Sequence, residues 1–250
     1  MPEITPDETW DELFDQIYLP TYVPLLSEHD SAEEARLAAE LAGVEPSADI
    51  LDIPTGFGRH AIPLAKLGFH VIGVDRSGVQ LSEARRVAGE VDWPKWVQAD
   101  FRELPFEDES FDAVLCLFSS IGYRGEDGDR IAFGQFLRVL RPGRPLVIET
   151  LHRDRLMAIF QERDWNPLAD DAVRLEERRI DYVAGEVEND LTLLAAGERR
   201  IATYRIRVYT ATELVKLLDE VGFTGIECFG DFGGAPLSRE TRLVVRAQRP

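Results

Sequence analysis

Residues 51–61 read Leu51-Asp52-Ile53-Pro54-Thr55-Gly56-Phe57-Gly58-Arg59-His60-Ala61, an apolar strand that runs into a glycine turn, and the turn opens a helix. Seventeen residues past Gly58 a second apolar run, Val71-Ile72-Gly73-Val74, ends on Asp75. A glycine loop after one strand and an acid at the end of the next is how an α/β sheet grips a ribose-bearing cofactor. The fragment Gly56-Phe57-Gly58-Arg59-His60-Ala61 also satisfies the dinucleotide pattern G-x-G-x-x-G/A, so a nicotinamide cofactor stays open at this point.

Outward from this loop, strands and helices alternate. Strands are expected at 49–52, 71–75, 95–99, 112–118 and 145–150, with helices at about 59–67, 78–90 and 129–140. The last of these helices stops at Arg141-Pro142-Gly143. This βαβ rhythm predicts a Rossmann-like, doubly wound and mostly parallel sheet. After residue 150 the rhythm changes. A helix near 153–163 precedes strand-like segments at 173–183, 187–195 and 200–208, with Gly185 and Gly197 between them, which reads as an antiparallel meander. Thr210 and Glu213 then have capping-box spacing, and the helix they open ends at Gly222. Strands 225–231 and 241–247 form a closing antiparallel hairpin. At the other end, Trp10, Phe14, Tyr18 and Tyr22 recur every four residues like one helix face, which Pro20 and Pro24 interrupt. Ser31 with Glu33-Glu34 reads as the N-cap of a further helix ending near Gly43. The expected organisation is an N-terminal helical cap (1–43), a cofactor-binding domain (44–152 and 209–250), and a helix-plus-β lid (153–208).

Composition narrows the partners. Against 28 basic residues stand 46 acidic ones, a net charge of −18, which repels phosphate backbones and anionic membranes. No nucleic-acid partner is therefore expected. Cys116 and Cys228 lack metal-ligand spacing and are expected as buried, reduced thiols, with no metal site. No apolar run reaches the ~18 residues of a membrane span, and the acidic start is unlike a signal peptide. A soluble, cytoplasmic protein is the expectation; nothing fixes its oligomeric state.

Three features separate the possible cofactors. Asp52 stands just ahead of the turn, where a pyrophosphate would be repelled and an ammonium group welcomed. The third strand runs into Asp100-Phe101, an acid that can accept from an exocyclic adenine amine beside an apolar wall. The closing hairpin departs from an all-parallel dinucleotide plan.

With these features the sequence resembles the class I S-adenosylmethionine-dependent methyltransferases. The likeness rests on LDIPTGFGRHAIPLAKLGFHVIGVDRS, ADFRELPFEDESFDAVLCLFSSIGY, FLRVLRPGRPLVIET and YTATELVKLLDEVGF, which cover most of 48–150 and 209–247. The family's usual loop has a glycine where this chain has Pro54. A branch acting on small molecules shares the Pro-x-Gly-x-Gly-Arg-His form. The resemblance implies that Asp52 holds the methionyl ammonium, directly or through water, while Pro54, Thr55, Gly56 and Gly58 form the loop around the methionine moiety. It implies that Asp75 takes the ribose hydroxyls, Arg76 packs beside the adenine, and Asp100 and Phe101 read its edge. The Leu117 carbonyl would face the methionine or methyl group. Arg59 is a candidate for the cofactor carboxylate and Tyr22 for a cap over the sulfonium, beside a simpler role for each in pairing or packing.

Methyl transfer from a sulfonium asks the protein mainly to align the reactants and exclude water. Where the acceptor is an amine or hydroxyl, a base receives a proton. Tyr123 and His152, past the ends of the fourth and fifth strands, are the candidates, Tyr123 more as a wall. No Asn-Pro-Pro-Tyr-like run follows the fourth strand, which with the acidic charge implies a small-molecule acceptor. Arg174, Arg205 and Arg207 on the meander fit either an anionic substrate or a solvated strand face. The competing readings are a non-catalytic binder of S-adenosylmethionine and an NAD-dependent oxidoreductase.

Overall fold

A computed structural model describes residues 11–250, so Trp10 and the start of the expected N-terminal cap lie outside the described residues. Helix α1 (Tyr18–Tyr22) lies between a π-helical turn at Glu12–Ile17 and a 3-10 turn at Val23–Leu25, and the three form an N-terminal arm. Pro20 and Pro24 change the winding of this arm rather than break it. Each lacks the N–H that a regular α-helix would bond.

Helix α2 (Glu28–Ala42) begins four residues before the expected point. Ser27 is its N-cap, accepting from the Asp30 N–H, and the Ser31 hydroxyl donates back to the Ser27 carbonyl inside the helix. Both serines suit a cap; the earlier one prevails because Ser31 is satisfied within the first turn. Gly43, at φ 67°, ends the helix as expected.

The elements β1 (Asp49–Asp52), α3 (Ala61–Lys66), β2 (His70–Asp75), α4 (Gly78–Ala88), β3 (Lys95–Gln98), β4 (Ala113–Cys116), α5 (Gly125–Val139) and β5 (Pro145–Thr150) follow the expected order. Helix α5 starts ahead of the expected residue 129. Helix α6 (Arg153–Ile159) is shorter than expected, and an unexpected strand, β6 (Arg163–Pro167), follows it. Then come β7 (Val173–Asp181), β8 (Glu186–Ala195), β9 (Glu198–Arg207), α7 (Ala211–Val221), β10 (Thr224–Phe229) and β11 (Leu243–Gln248). The Thr210–Glu213 capping box at the start of α7 is fully formed.

Strands β1 to β5, β10 and β11 make a seven-stranded sheet in the order β10-β11-β5-β4-β1-β2-β3, parallel except where β11 pairs with β5 and β10. Strand pleating sends successive side chains to opposite layers. Leu51 packs with Phe133, Phe136, Leu214 and Leu218 of α5 and α7. Its neighbour Ile50 packs with Ala35, Ala38, Ala39 and Leu64 of α2 and α3. A parallel sheet covered on both faces explains why β4 and β5 are buried along their whole length. The chain reverses direction across the sheet between β1 and β4, and ligands of such sheets sit at the carboxyl ends of those strands.

Strands β6 to β9 form a separate antiparallel four-stranded sheet. Leu191, Leu193 and Ala202 on its inner face pack against Leu13 and Ile17 of the arm. Both cysteines are free; Cys116 is buried and Cys228 only half-buried, because its strand β10 is the sheet edge. Among the described residues, no helix is long and apolar enough to cross a membrane, and no cluster of metal-ligating side chains occurs.

Candidate active site

The loop after β1 and the loop after β4 face each other at this reversal, with the Ile53 N–H donating to the Leu115 carbonyl at 2.9 Å. Between them lies a cleft lined by Pro54, Thr55, Gly56, Arg59, Asp75 and Leu117, with Phe14, Tyr18 and Tyr123 closing it. The Ile53–Pro54 peptide is cis. Gly56 and Gly58 have φ of 56° and 83°, where a side chain is strained. A Cβ on Gly58 would stand 2.6 Å from the Trp96 ring, so this glycine also serves packing under the loop.

Asp75 lines the cleft with a prearranged carboxyl. Gly56 N–H donates to its Oδ2 at 2.8 Å and Ser77 N–H to its Oδ1 at 2.9 Å. Burial raises its pKa to about 6 despite those donors. Asp52 is 1% exposed and lies behind the lining; Thr55, which does line the cleft, donates its hydroxyl to Asp52 Oδ2 at 2.6 Å. Burial, with the nearby Asp75 charge adding to it, raises Asp52 to about 7. Among the described residues, neither carboxyl forms an ion pair.

Arg59 is enclosed by Glu34, with which it forms an ion pair, and by the Phe118 ring, 4.4 Å from its guanidinium carbon. Its Nε donates to His60 Nε2 at 3.0 Å, and burial holds His60 neutral by pushing its pKa well below the usual value. Arg59 is itself lowered to about 10 by burial and stays cationic at neutral pH.

The expected adenine residues gather outside this cleft lining. Asp100 accepts from Arg102 Nε at 2.9 Å and Nη2 at 2.7 Å, Phe101 is buried in the core, and Arg76 stands 3.4 Å from Asp11. The Leu117 carbonyl accepts from the Ser120 hydroxyl at 2.7 Å. Tyr123 lines the cleft, and burial raises its pKa well above the usual value. His152 is buried as the N-cap of α6, its Nε2 3.5 Å from Asp154, and lines neither the cleft nor the cavity beside it.

That second cavity, about 360 Å3, opens beside the four-stranded sheet and shares Tyr18, Phe118, Ser119 and Tyr123 with the first. Tyr22 lines this cavity and not the cleft. Of the three meander arginines, Arg205 points out to Glu188, and Arg207 clamps Glu213 and the Val208 carbonyl. Arg174 is buried with its guanidinium 5.2 Å from the Tyr22 ring.

Sequence reasoning passed over the residues that shape the shared wall. Phe118 and Ser119 both take left-handed backbone, φ 61° and 57°, a conformation that costs non-glycine residues energy and clusters at functional sites. Glu149 holds this turn: its carboxyl accepts from the Phe118 N–H at 2.7 Å and its carbonyl from the Ser119 N–H at 3.0 Å. Arg242 pairs with Glu149 and with the Ser119 hydroxyl. The one sequence signal was Glu149 itself, an acid inside an apolar strand.

Residues 50–143 match the sequence family described as "Methyltransferase domain". Across 113 residues the chain is 39% identical to a demethylmenaquinone methyltransferase of Clavibacter sepedonicus, covering 45% of this chain and 43% of that protein. The chain thus spans under half of that relative's length. Across 214 residues it is 26% identical to YqeM, a putative methyltransferase of Bacillus subtilis strain 168, covering 83% and 87% of the two. Among solved structures, the CcbJ methyltransferase from Streptomyces caelestis superposes with a TM-score of 0.80 at 25% identity, over 95% of this chain and 98% of that one.

The fold is that of the Rossmann-like methyltransferases, and residues 50–143 match a methyltransferase domain. S-adenosylmethionine is the cofactor of that class. The residues present fit it: the two enclosed carboxyls would suit an ammonium and a ribose diol, and the half-buried Arg59 a carboxylate.

Proposed function

We propose that this protein transfers a methyl group from S-adenosylmethionine to a nitrogen or oxygen of a small molecule by in-line displacement. The observation that carries this reading is the meeting of two cavities at Tyr18, Phe118, Ser119 and Tyr123. One holds the glycine loop and Asp75; the other lies under the lid and is large enough for a separate reactant. When bound, S-adenosylmethionine supplies a methyl group already activated on a sulfonium. Asp75 accepts from the ribose hydroxyls, and Arg59 with the loop amides meets the carboxylate. Asp52 acts on the ammonium side through Thr55. Arg76, Asp100 and Phe101 border the adenine. The aromatic wall excludes water and fixes the angle of approach. Tyr123, held protonated by burial, serves as wall and hydrogen-bond donor rather than base. Residues 153–208 act as the lid that selects the acceptor.

Calorimetric titration with S-adenosylhomocysteine and with NADH, followed by a radiolabelled-methyl screen of small amines and hydroxyl compounds, tests this reading. Tight S-adenosylhomocysteine binding, indifference to NADH and label on a small acceptor are expected. NADH binding without an S-adenosylhomocysteine signal would sink it.

A further inference from the structure

Along β8 the inward positions run Val187, Asn189, Leu191 and Leu193, so one amide interrupts an apolar face. Strand register sets Asn189 directly opposite Arg178 on β7 and Tyr204 on β9, with Glu176 two residues before Arg178 on the same face. All four line the second cavity. Asn189 is 4% exposed. Its Nδ2 donates to Tyr204 Oη at 2.6 Å and to Glu176 Oε1 at 3.2 Å, while its Oδ1 meets no donor among the described residues. A buried acceptor left unmatched is costly. The Tyr204 ring lies 5.9 Å from that of Tyr123, so this polar floor begins one ring away from the junction of the two cavities.

We propose that Asn189, positioned by Glu176 and Tyr204, recognises a hydroxyl or amino donor on the methyl acceptor. The acceptor is then an amphipathic small molecule. Its apolar body rests among Leu156, Ile159, Val187 and Ile206, and a hydrogen-bond-donating group reaches the Asn189 carbonyl oxygen. This rests on the second cavity being the acceptor site. An interior strut alone would leave the floor with no preference among ligands.

The test uses the full chain saturated with S-adenosylhomocysteine and three probes: 4-ethylphenol, 4-ethylaniline and 4-ethylanisole, the last lacking a donor. Affinities measured by ligand-observed NMR are expected to favour the phenol or the aniline over the anisole by about tenfold, the order for one buried hydrogen bond. In Asn189→Leu the preference should fall to about one, with S-adenosylhomocysteine affinity unchanged. In the unmodified protein the Asn189 side-chain amide resonances should shift with a donor-bearing probe and not with the anisole, a readout that needs no variant to fold. Equal affinities, a preference kept in Asn189→Leu, or silent Asn189 resonances overturn the proposal. Loss of S-adenosylhomocysteine binding in the unmodified protein instead overturns the cofactor reading beneath it, and the separate titration tells the two apart.

Discussion

Asp52 and Asp75 hold different places though both are enclosed strand-end acids: Asp75 lines the cleft, and Asp52 lies behind it, bonded to the Thr55 hydroxyl. Burial raises both above the ordinary 3.8, to about 7 and about 6. An acid whose folded pKa is raised binds its proton more tightly folded than unfolded. The stability these two contribute is therefore full below pH 3.8 and is lost as pH rises through about 6 to 7. A bound ammonium favours the ionised Asp52, so ligation releases a proton at and below neutral pH. S-adenosylhomocysteine affinity is expected to fall as pH drops below about 7. Calorimetry in buffers of different ionisation enthalpy should show proton release, reduced in Asp52→Asn; identical release in that variant would remove Asp52 from the linkage. Replacing Asp75 by alanine should weaken binding by roughly 1.5–3 kcal/mol, the range for hydrogen bonds to a charged group. Gly58→Ala combines positive φ with a Cβ 2.6 Å from Trp96. A loss of at least about 1 kcal/mol in denaturant unfolding is expected.

Elements position these residues through contacts distant in sequence. The loop after β4 is tied down by Asp129 of α5, which is fully buried and accepts from the Gly122 N–H at 3.0 Å and the Tyr209 hydroxyl at 2.6 Å. Gly122 itself has no room for a Cβ, which would fall 2.1 Å from the Arg207 carbonyl. Asp129→Ala strands two buried donors, each worth about 1–3 kcal/mol. Thermal unfolding should show a lowered midpoint, and methyl transfer should fall with it because Tyr123 hangs on the same loop. The central strands were legible because buried parallel strands read as apolar runs bounded by Gly, Asp and Pro. The glycine loop, Asp75 and the capping box at Thr210 were legible for the same local reason. The ion pairs of Glu34 with Arg59 and of Glu149 with Arg242 were not, since each joins residues 25 or more positions apart and local periodicity carries no such information. The start of α2 was misplaced because two serines four residues apart both satisfy the rule for a cap.

At the scale of the molecule, the arm joins what the two sheets divide. Asp15 bonds the Ser77 hydroxyl and the Phe14 carbonyl accepts from Gln80 Nε2 at 2.8 Å, both beside the cleft. Leu13 and Ile17 meanwhile pack on the four-stranded sheet. Filling the cleft should therefore quiet the arm. Hydrogen exchange is expected to slow at Glu12–Leu25 when S-adenosylhomocysteine binds, with little change at the outer edge of β6. Unchanged exchange in the arm would show that it does not report on the cleft.

The aromatic cluster of Phe14, Tyr18, Tyr123 and Tyr204 stands between the two cavities, Tyr18 and Tyr123 lining both, with neighbouring ring centroids 5.4 to 5.9 Å apart. A shared wall sets an order of events. On the proposed reading, a molecule seated in the second cavity would stand against Tyr18, so the methyl donor is expected to enter first and its demethylated product to leave last. Steady-state kinetics should then show S-adenosylhomocysteine inhibiting competitively against S-adenosylmethionine and noncompetitively against the acceptor. The traffic through the enzyme becomes a queue, and four rings keep its sequence.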